Sequence, residues 1–214
     1  MKKTIKRQYR IARYVFYRET LLEPIDHLWT FIGTFIAIAS IGGLQQVGFT
    51  QQDSVFLIGS FGASCVLLFG AANSPLAQPR NLVGGHLLAS IIGVAIHKLI
   101  PDQLWLSSAL AVSLSIVFMQ ITKTMHPPAG ATALIANIGS EKITSLGFSY
   151  TLTPVMTGVA ILLLTALLVN NISSKRSYPV RSFSWNRLSG KGRGRFSPVH
   201  DKNAANRSTD QRIE

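Results

Sequence analysis

Negative charge is missing from most of the apolar part of this chain. No Asp or Glu occurs between Ser54 and Pro101, or between Gln103 and Ser140. That excludes a carboxylate proton relay and a carboxylate-lined cation path through those stretches, the usual uses of intramembrane acids. Cysteine is nearly absent too. Cys65 stands alone, so no disulfide can form within the chain, and it reads as a small packing residue. Charged residues are 14% of the total, low for a soluble domain. Recognisable nucleophile motifs are lacking. Ser60 or Ser64 with His86 or His126 would supply a hydroxyl and a base, but an enzyme is not expected, nor is a metal or a cofactor.

What the chain has is apolar residues in runs and basic residues at its ends. Hydrophobic residues make up 47% of it, mean hydropathy is +0.29 and the net charge is +12. The basic residues crowd into Met1–His27 and Ser173–Glu214, the pattern of a membrane domain with two basic tails. Three parts follow: a basic N-terminal segment over 1–27, a transmembrane domain over 28–172 and a basic, disordered tail over 173–214. Ile5, Tyr9, Ala12 and Phe16 fall at helical spacing among Lys and Arg, as in an amphipathic helix lying on an anionic leaflet. The tail interleaves Tyr178, Phe183, Trp185 and Phe196 with basic residues. Anionic lipid, rather than single-stranded nucleic acid, is its expected partner.

Five runs approach the roughly 20 residues that a bilayer core requires: Leu28–Leu44, Ser54–Ala71, Leu82–Ile100, Leu104–Gln120 and Thr151–Ile172. Trp29, Trp105 and Tyr150 sit at run ends, where aromatic belts form. The basic region before the first run is far too long for a secretory leader, and no clear cleavage site follows Gly43, so that run is expected to be retained. Two basic tails both belong on the cytoplasmic side, which requires an even number of crossings.

The sixth element is expected at His126–Ser140, where His126-Pro127-Pro128 interrupts the apolar pattern. Both prolines lack a backbone N–H, and Pro128 disfavours α conformation in the residue before it. Irregular backbone at membrane depth survives only when buried in protein or lining a cavity. A helix from about Ala129 to Gly139 would rise roughly 16 Å, and an extended stretch from Thr124 would cover most of the remaining depth. The expected fold is therefore an all-α polytopic membrane bundle of five full spans plus a short, broken half-helix crossing. A re-entrant loop is the competing form.

The order of several short motifs suggests a 3+3 inverted repeat. Pro24-Ile-Asp26-His-Leu28-Trp29 resembles Pro101-Asp102-Gln-Leu104-Trp105, Gly62-Ala63-Ser64 resembles Gly130-Ala131-Thr132, and Gln78-Pro79 with Gly84 resembles Thr153-Pro154 with Gly158. Units of three spans each must be inverted relative to one another, a transporter architecture whose site lies near the midplane. Helices starting near Gly62 and Gly130 would then aim their N-termini at each other. Such N-termini carry free N–H groups and partial positive charge, and together they form an anion site. Ser64 and Thr132 would add hydroxyl donors, while Ala63, Ala129, Gly130 and Ala131 would admit a small ligand near the backbone. His126 and His86 would donate hydrogen bonds or carry a proton. Asn73 is a further contact candidate, and Arg80 and Lys123 would hold positive potential at the cytoplasmic mouth. The same Gly-Ala-Ser and Gly-Ala-Thr triplets also suit close helix packing, and Arg80 and Lys123 also suit topology signals.

Phe61-Gly-Ala-Ser-Cys-Val-Leu-Leu-Phe-Gly70, Asn73-Ser-Pro-Leu-Ala-Gln-Pro-Arg-Asn81, Gly84-Gly85-His86 and His126-Pro-Pro-Ala-Gly-Ala-Thr-Ala-Leu-Ile135 together resemble the HPP family of integral membrane proteins. The family takes its name from the His-Pro-Pro triplet, and the resemblance covers roughly Leu28–Ile172. It implies four membrane helices, fewer than the six elements counted above, and a transport role, with nitrite as the substrate linked to chloroplast and cyanobacterial members. Some members carry a C-terminal pair of nucleotide-sensing modules, which the short polar tail here does not resemble. A nitrite transporter of a bacterial inner membrane, with both termini cytoplasmic and room for self-association, is the resulting expectation. An anion channel of other specificity and a non-transporting sensor or scaffold are the alternatives.

Overall fold

Proline marks where two of the long helices begin. Pro24 opens α1 (Pro24–Gln46) and Pro79 opens α3 (Pro79–Leu99), the helix position at which a missing N–H costs nothing. The structure is a computed structural model and describes residues 24–46, 59–173 and 176–180. Between α1 and α3 lies a short helix, α2 (Gly59–Gly70), whose last turn, Val66–Gly70, is a wide π turn. A single 3₁₀ turn, Pro75–Ala77, capped by the Ser74 hydroxyl on the Leu76 amide, leads into α3. The second half repeats the order long, short, long: α4 (Leu104–Ile121), α5 (Ala129–Ile138), a one-turn α6 (Glu141–Ser145) and α7 (Thr151–Val169). The first turns of α7 are broken at Thr153, which is extended (φ −134°, ψ 118°) ahead of Pro154. That break follows from the missing proline N–H and the restriction on the residue before it.

The described residues contain no strand, and α1, α3, α4 and α7 are each long and apolar enough to cross a membrane. The bundle is apolar outside and encloses a set of polar side chains within its apolar core. Phe31, Phe35, Trp105, Ile121, Leu164 and Leu168 each leave more than 60% of their surface exposed, while Ser60, Ser64, His86, Ser115, His126, Thr132 and Asn170 are buried. A soluble fold would bury the first set; in lipid the arrangement satisfies polar groups internally and gives the tails an apolar surface. The expected all-helical membrane bundle is therefore the observed class.

Glycines set how closely the helices approach. A methyl group on Gly93 of α3 would lie 2.7 Å from the Ala133 carbonyl of α5, and one on Gly158 of α7 would lie 2.3 Å from the Phe61 ring of α2. Each short helix thus lies against a long helix of the other half.

One end of the bundle is tied together by side-chain hydrogen bonds. Arg176 donates from Nε to Asp26 Oδ1 (2.8 Å) and from Nη2 to the Asp26 carbonyl (2.6 Å) and Thr30 Oγ1 (3.0 Å). Asn170 donates to the Leu68 carbonyl, and the buried Tyr178 hydroxyl donates to the Ala77 carbonyl. The start of α1 and the segment following α7 therefore lie at the same end. Arg80, on the first turn of α3, donates to the Thr122 carbonyl (2.8 Å). At the opposite end of α3, Lys98 sits over the Phe148 ring (5.9 Å) and against Gly147. The chain from Thr122 to Phe148 thus passes from one end of α3 to the other, by way of α5. The expected N-terminal amphipathic helix falls outside the described residues over 1–23, as do the turn and first part of the second apolar run over 47–58 and the tail from 181 onward.

Candidate functional site

Ser60 and Ser64 are four residues apart, so they share one face of α2. Both are buried, with Phe61 and Cys65 beside them, whereas Gly59, Ala63 and Val66 point outward. His86 lies seven residues into α3, about 10 Å along it. His126 sits on the irregular segment ahead of α5, close enough to α3 that a methyl on Gly85 would fall 2.7 Å from its Cβ. Thr132 is on the first turn of α5. These five polar side chains, from four separate parts of the chain, form one buried cluster.

Its centre is the Ser64 hydroxyl, 3.0 Å from His86 Nε2 and 3.0 Å from His126 Nε2. The two imidazole rings lie 5.1 Å apart at 55°, and the Phe61 ring covers His86 at 5.8 Å. His86 Nδ1 meets Thr132 Oγ1 at 2.8 Å, and Thr132 Oγ1 meets Ser60 Oγ at 2.8 Å. Ser60 Oγ also reaches the Pro128 carbonyl (3.1 Å), and Ser64 Oγ reaches the Ser60 carbonyl (3.2 Å). At the other end, His126 Nδ1 donates to the Leu76 carbonyl (2.9 Å). Tyr150, buried at the head of α7, donates to the Thr132 carbonyl (3.0 Å). Asn81 donates to the Met125 carbonyl (2.7 Å) and so fixes the chain just before His126.

Of the residues singled out from sequence, Ser64, His86, His126 and Thr132 meet directly, and Pro128 contributes its carbonyl. Ser60 belongs with them; the signal for it was its four-residue spacing from Ser64. Ala129 is buried behind the cluster, and Pro127 is exposed. The amides of Ala129, Gly130 and Ala131 bond back to the carbonyls of His126, Pro127 and Pro128. The donors presented at this helix start are thus hydroxyls and imidazoles, where free N–H groups were expected. Around Gly62 a methyl would meet nothing within 4 Å, and around Gly130 only Val112 at 3.9 Å. Neither glycine is there for tight packing.

Asn73, Arg80 and Lys123 do not reach the cluster. Arg80 is exposed and bonded to the turn after α4; Lys123 occupies that exposed turn with a positive φ of 57°. Asn73 lines a separate cavity of about 240 Å³ at the tied end, with Asp26, Phe69, Ser74 and Arg176. Sequence reading placed Arg176 only in a basic tail. The clue to its role was Asp26, an acid inside the start of a span.

Apolar helices facing outward around a buried, carboxylate-free polar cluster define a polytopic helical membrane protein. The transmembrane-region model of the HPP family matches residues 20–179, and the chain belongs to that family. It is similar to two transmembrane proteins of Dictyostelium discoideum. One is 46% identical over 160 residues, covering 73% of this chain and 50% of that protein; the other is 44% identical over 155 residues, covering 71% and 54%. The chain thus spans about half the length of these curated relatives. No solved structure matches it.

Proposed function

We propose that this protein moves a small inorganic anion, nitrite or a close relative, across the membrane, and that the anion passes through the Ser60–Ser64–His86–His126–Thr132 cluster. The observation that carries this reading is the chemistry of the cluster. It gathers three hydroxyls and two imidazoles deep in an apolar bundle, and none of the helices that supply them carries a carboxylate. Hydroxyl and imidazole donors suit an anion of two or three oxygens, and a cation would find few ligands here. In the present arrangement these groups bond to one another, so an anion must take over their contacts in turn.

The topology we propose has six crossings. The path from Thr122 to Phe148 along α3, and the Arg176–Asp26 tie that holds both ends of the domain together, support an even count. The pairings also match between halves. α1 packs on α7 as α4 packs on α3, and α2 packs on α7 as α5 packs on α3. This is what a 3+3 inverted repeat requires, with its site where the two broken elements meet. Both tails would then lie on the cytoplasmic side of a plasma membrane, against anionic lipid.

Purified protein in lipid vesicles tests the function. Uptake of nitrite, nitrate, formate and bicarbonate is measured against protein-free vesicles. Protein-dependent flux of at least one, with nitrite favoured, is the expected result; no flux of any of the four would refute the proposal.

A further inference from the structure

Two imidazoles point their Nε2 atoms at one hydroxyl, and that hydroxyl has one hydrogen. The cluster contains six contacts of 3.1 Å or less: Pro128 O–Ser60, Ser60–Thr132, Thr132–His86 Nδ1, His86 Nε2–Ser64, Ser64–His126 Nε2 and His126 Nδ1–Leu76 O. Each requires one hydrogen. With both imidazoles neutral, three hydroxyls and two rings supply only five. One of the six must then lapse; in the arrangement that keeps the Ser64 bridge intact, the hydrogens run one way, from Ser60 through Thr132, His86 and Ser64 to His126 and the Leu76 carbonyl, and the Ser60–Pro128 contact is the one lost.

One added proton completes the set. His86 Nδ1–H then donates to Thr132, Thr132 to Ser60, and Ser60 to the Pro128 carbonyl. On the other side, His126 Nε2–H donates to Ser64 and Ser64 to His86 Nε2. Passing both of those hydrogens along moves the charge from His126 to His86, and Ser64 is a neutral hydroxyl before and after. Only the 3.2 Å approach of Ser64 to the Ser60 carbonyl lapses in both forms. A second added proton would place two cations on rings 5.1 Å apart, which their repulsion opposes.

Among the described residues, the surroundings offer this charge no acidic partner. The other titratable groups on the described elements packed around the pair are Cys65 of α2, Tyr150 just ahead of α7, and His97 and Lys98 at the far end of α3; Arg80 and Lys123 lie at the exposed turn; α4 and α5 carry no charged or titratable side chain. Both imidazoles are fully buried, and a buried charge without a counter-ion is costly. An anion at the same cluster would supply one. We infer that the His86–Ser64–His126 bridge is a one-proton site, and that its proton travels with the anion as a neutral pair. This inference rests on the anion reading above.

The test is ¹⁵N magnetic resonance of histidine-labelled protein in vesicles, with nitrite uptake measured on the same sample. His86→Asn and His126→Asn assign the signals. Between about pH 8 and pH 5 the pair should gain one N–H in total. Saturating nitrite should raise the midpoint by about one pH unit or more, because anion and proton must strengthen each other's binding reciprocally. Ser64→Ala, which removes only the bridging hydroxyl, should lower the midpoint. If both rings keep a single N–H to pH 5 with and without nitrite, or nitrite leaves the midpoint unmoved, the inference is wrong. Nitrite flux without proton uptake would sink the coupling and leave the anion reading standing. Proton uptake with no flux of any tested anion would sink the anion reading, and with it the coupling.

Discussion

Gly85→Ala adds one methyl group to the most crowded side of the cluster and removes no polar atom. The new Cβ would lie 2.7 Å from His126 Cβ, 3.1 Å from the Thr124 carbonyl and 3.3 Å from Met119 Sδ. Carbon atoms in ordinary contact stand about 3.5–4.0 Å apart, so His126 must retreat by about 1 Å. Its Nε2 is 3.0 Å from Ser64 Oγ, and a displacement of that size lengthens or bends this bond, to about 4 Å at the most. The Thr124 carbonyl is main chain, so the segment cannot yield freely on that side. Overpacking of this kind costs about 1–3 kcal/mol, and the weakened bridge adds roughly 1 kcal/mol. The better helix propensity of alanine offsets up to about 1 kcal/mol. A net loss of about 2–3 kcal/mol corresponds to an apparent Tm lower by about 5–10 °C. Gly62→Ala is the control, because its methyl meets nothing within 4 Å and should be neutral or stabilising by up to about 1 kcal/mol. Thermal unfolding of both variants in detergent, with nitrite uptake after reconstitution, measures the difference. Equal stability and equal uptake for the two would refute the packing argument and the placement of His126.

The tie at the end of the bundle yields a second expectation. Arg176→Ala should lower stability by roughly 2–3 kcal/mol, less than for a fully buried pair because the Arg176 and Asp26 side chains keep 11% and 16% exposure; an unchanged Tm would contradict it. Burial holds the Tyr178 phenol above its ordinary range near 10. The folded state therefore keeps a proton that the unfolded state releases, and this contribution is complete below about pH 10 and declines as pH rises above it. Tyr178→Phe should flatten that alkaline decline, read as Tm against pH, at a cost of about 1 kcal/mol from the lost bond to Ala77. Six crossings predict that Thr122→Cys and Ser149→Cys, made in a Cys65→Ala background, react with impermeant thiol reagents from opposite sides of the membrane. Labelling from one side would favour a re-entrant segment.

Much of the fold was legible because lipid leaves few choices. Runs near 20 residues, aromatic ends and basic tails mark spans directly, and α1, α3, α4 and α7 lie where those runs predicted. The His-Pro-Pro break was equally plain, since two prolines cannot continue a helix. The partners of that break were harder to read. Nothing local to His126 reveals that its Nδ1 faces the Leu76 carbonyl, fifty residues earlier, or that Ser64 stands between it and His86. The amides of Ala129, Gly130 and Ala131 were misread for a related reason. A proline-led turn can close its own first N–H groups on nearby carbonyls, and composition does not show whether it will. Arg176 was hidden because a lone guanidinium in a basic tail looks like its neighbours until Asp26 is placed beside it.

The most direct measurement is nitrite uptake into vesicles by Thr132→Val compared with the natural sequence. Valine keeps the shape of threonine and removes the hydroxyl that links His86 to Ser60. If the anion passes through this cluster, uptake should fall at least about tenfold, equivalent to about 1.4 kcal/mol on the barrier, while the variant remains folded by thermal unfolding. Uptake equal to that of the natural sequence, in a folded variant, would show that the anion takes another path.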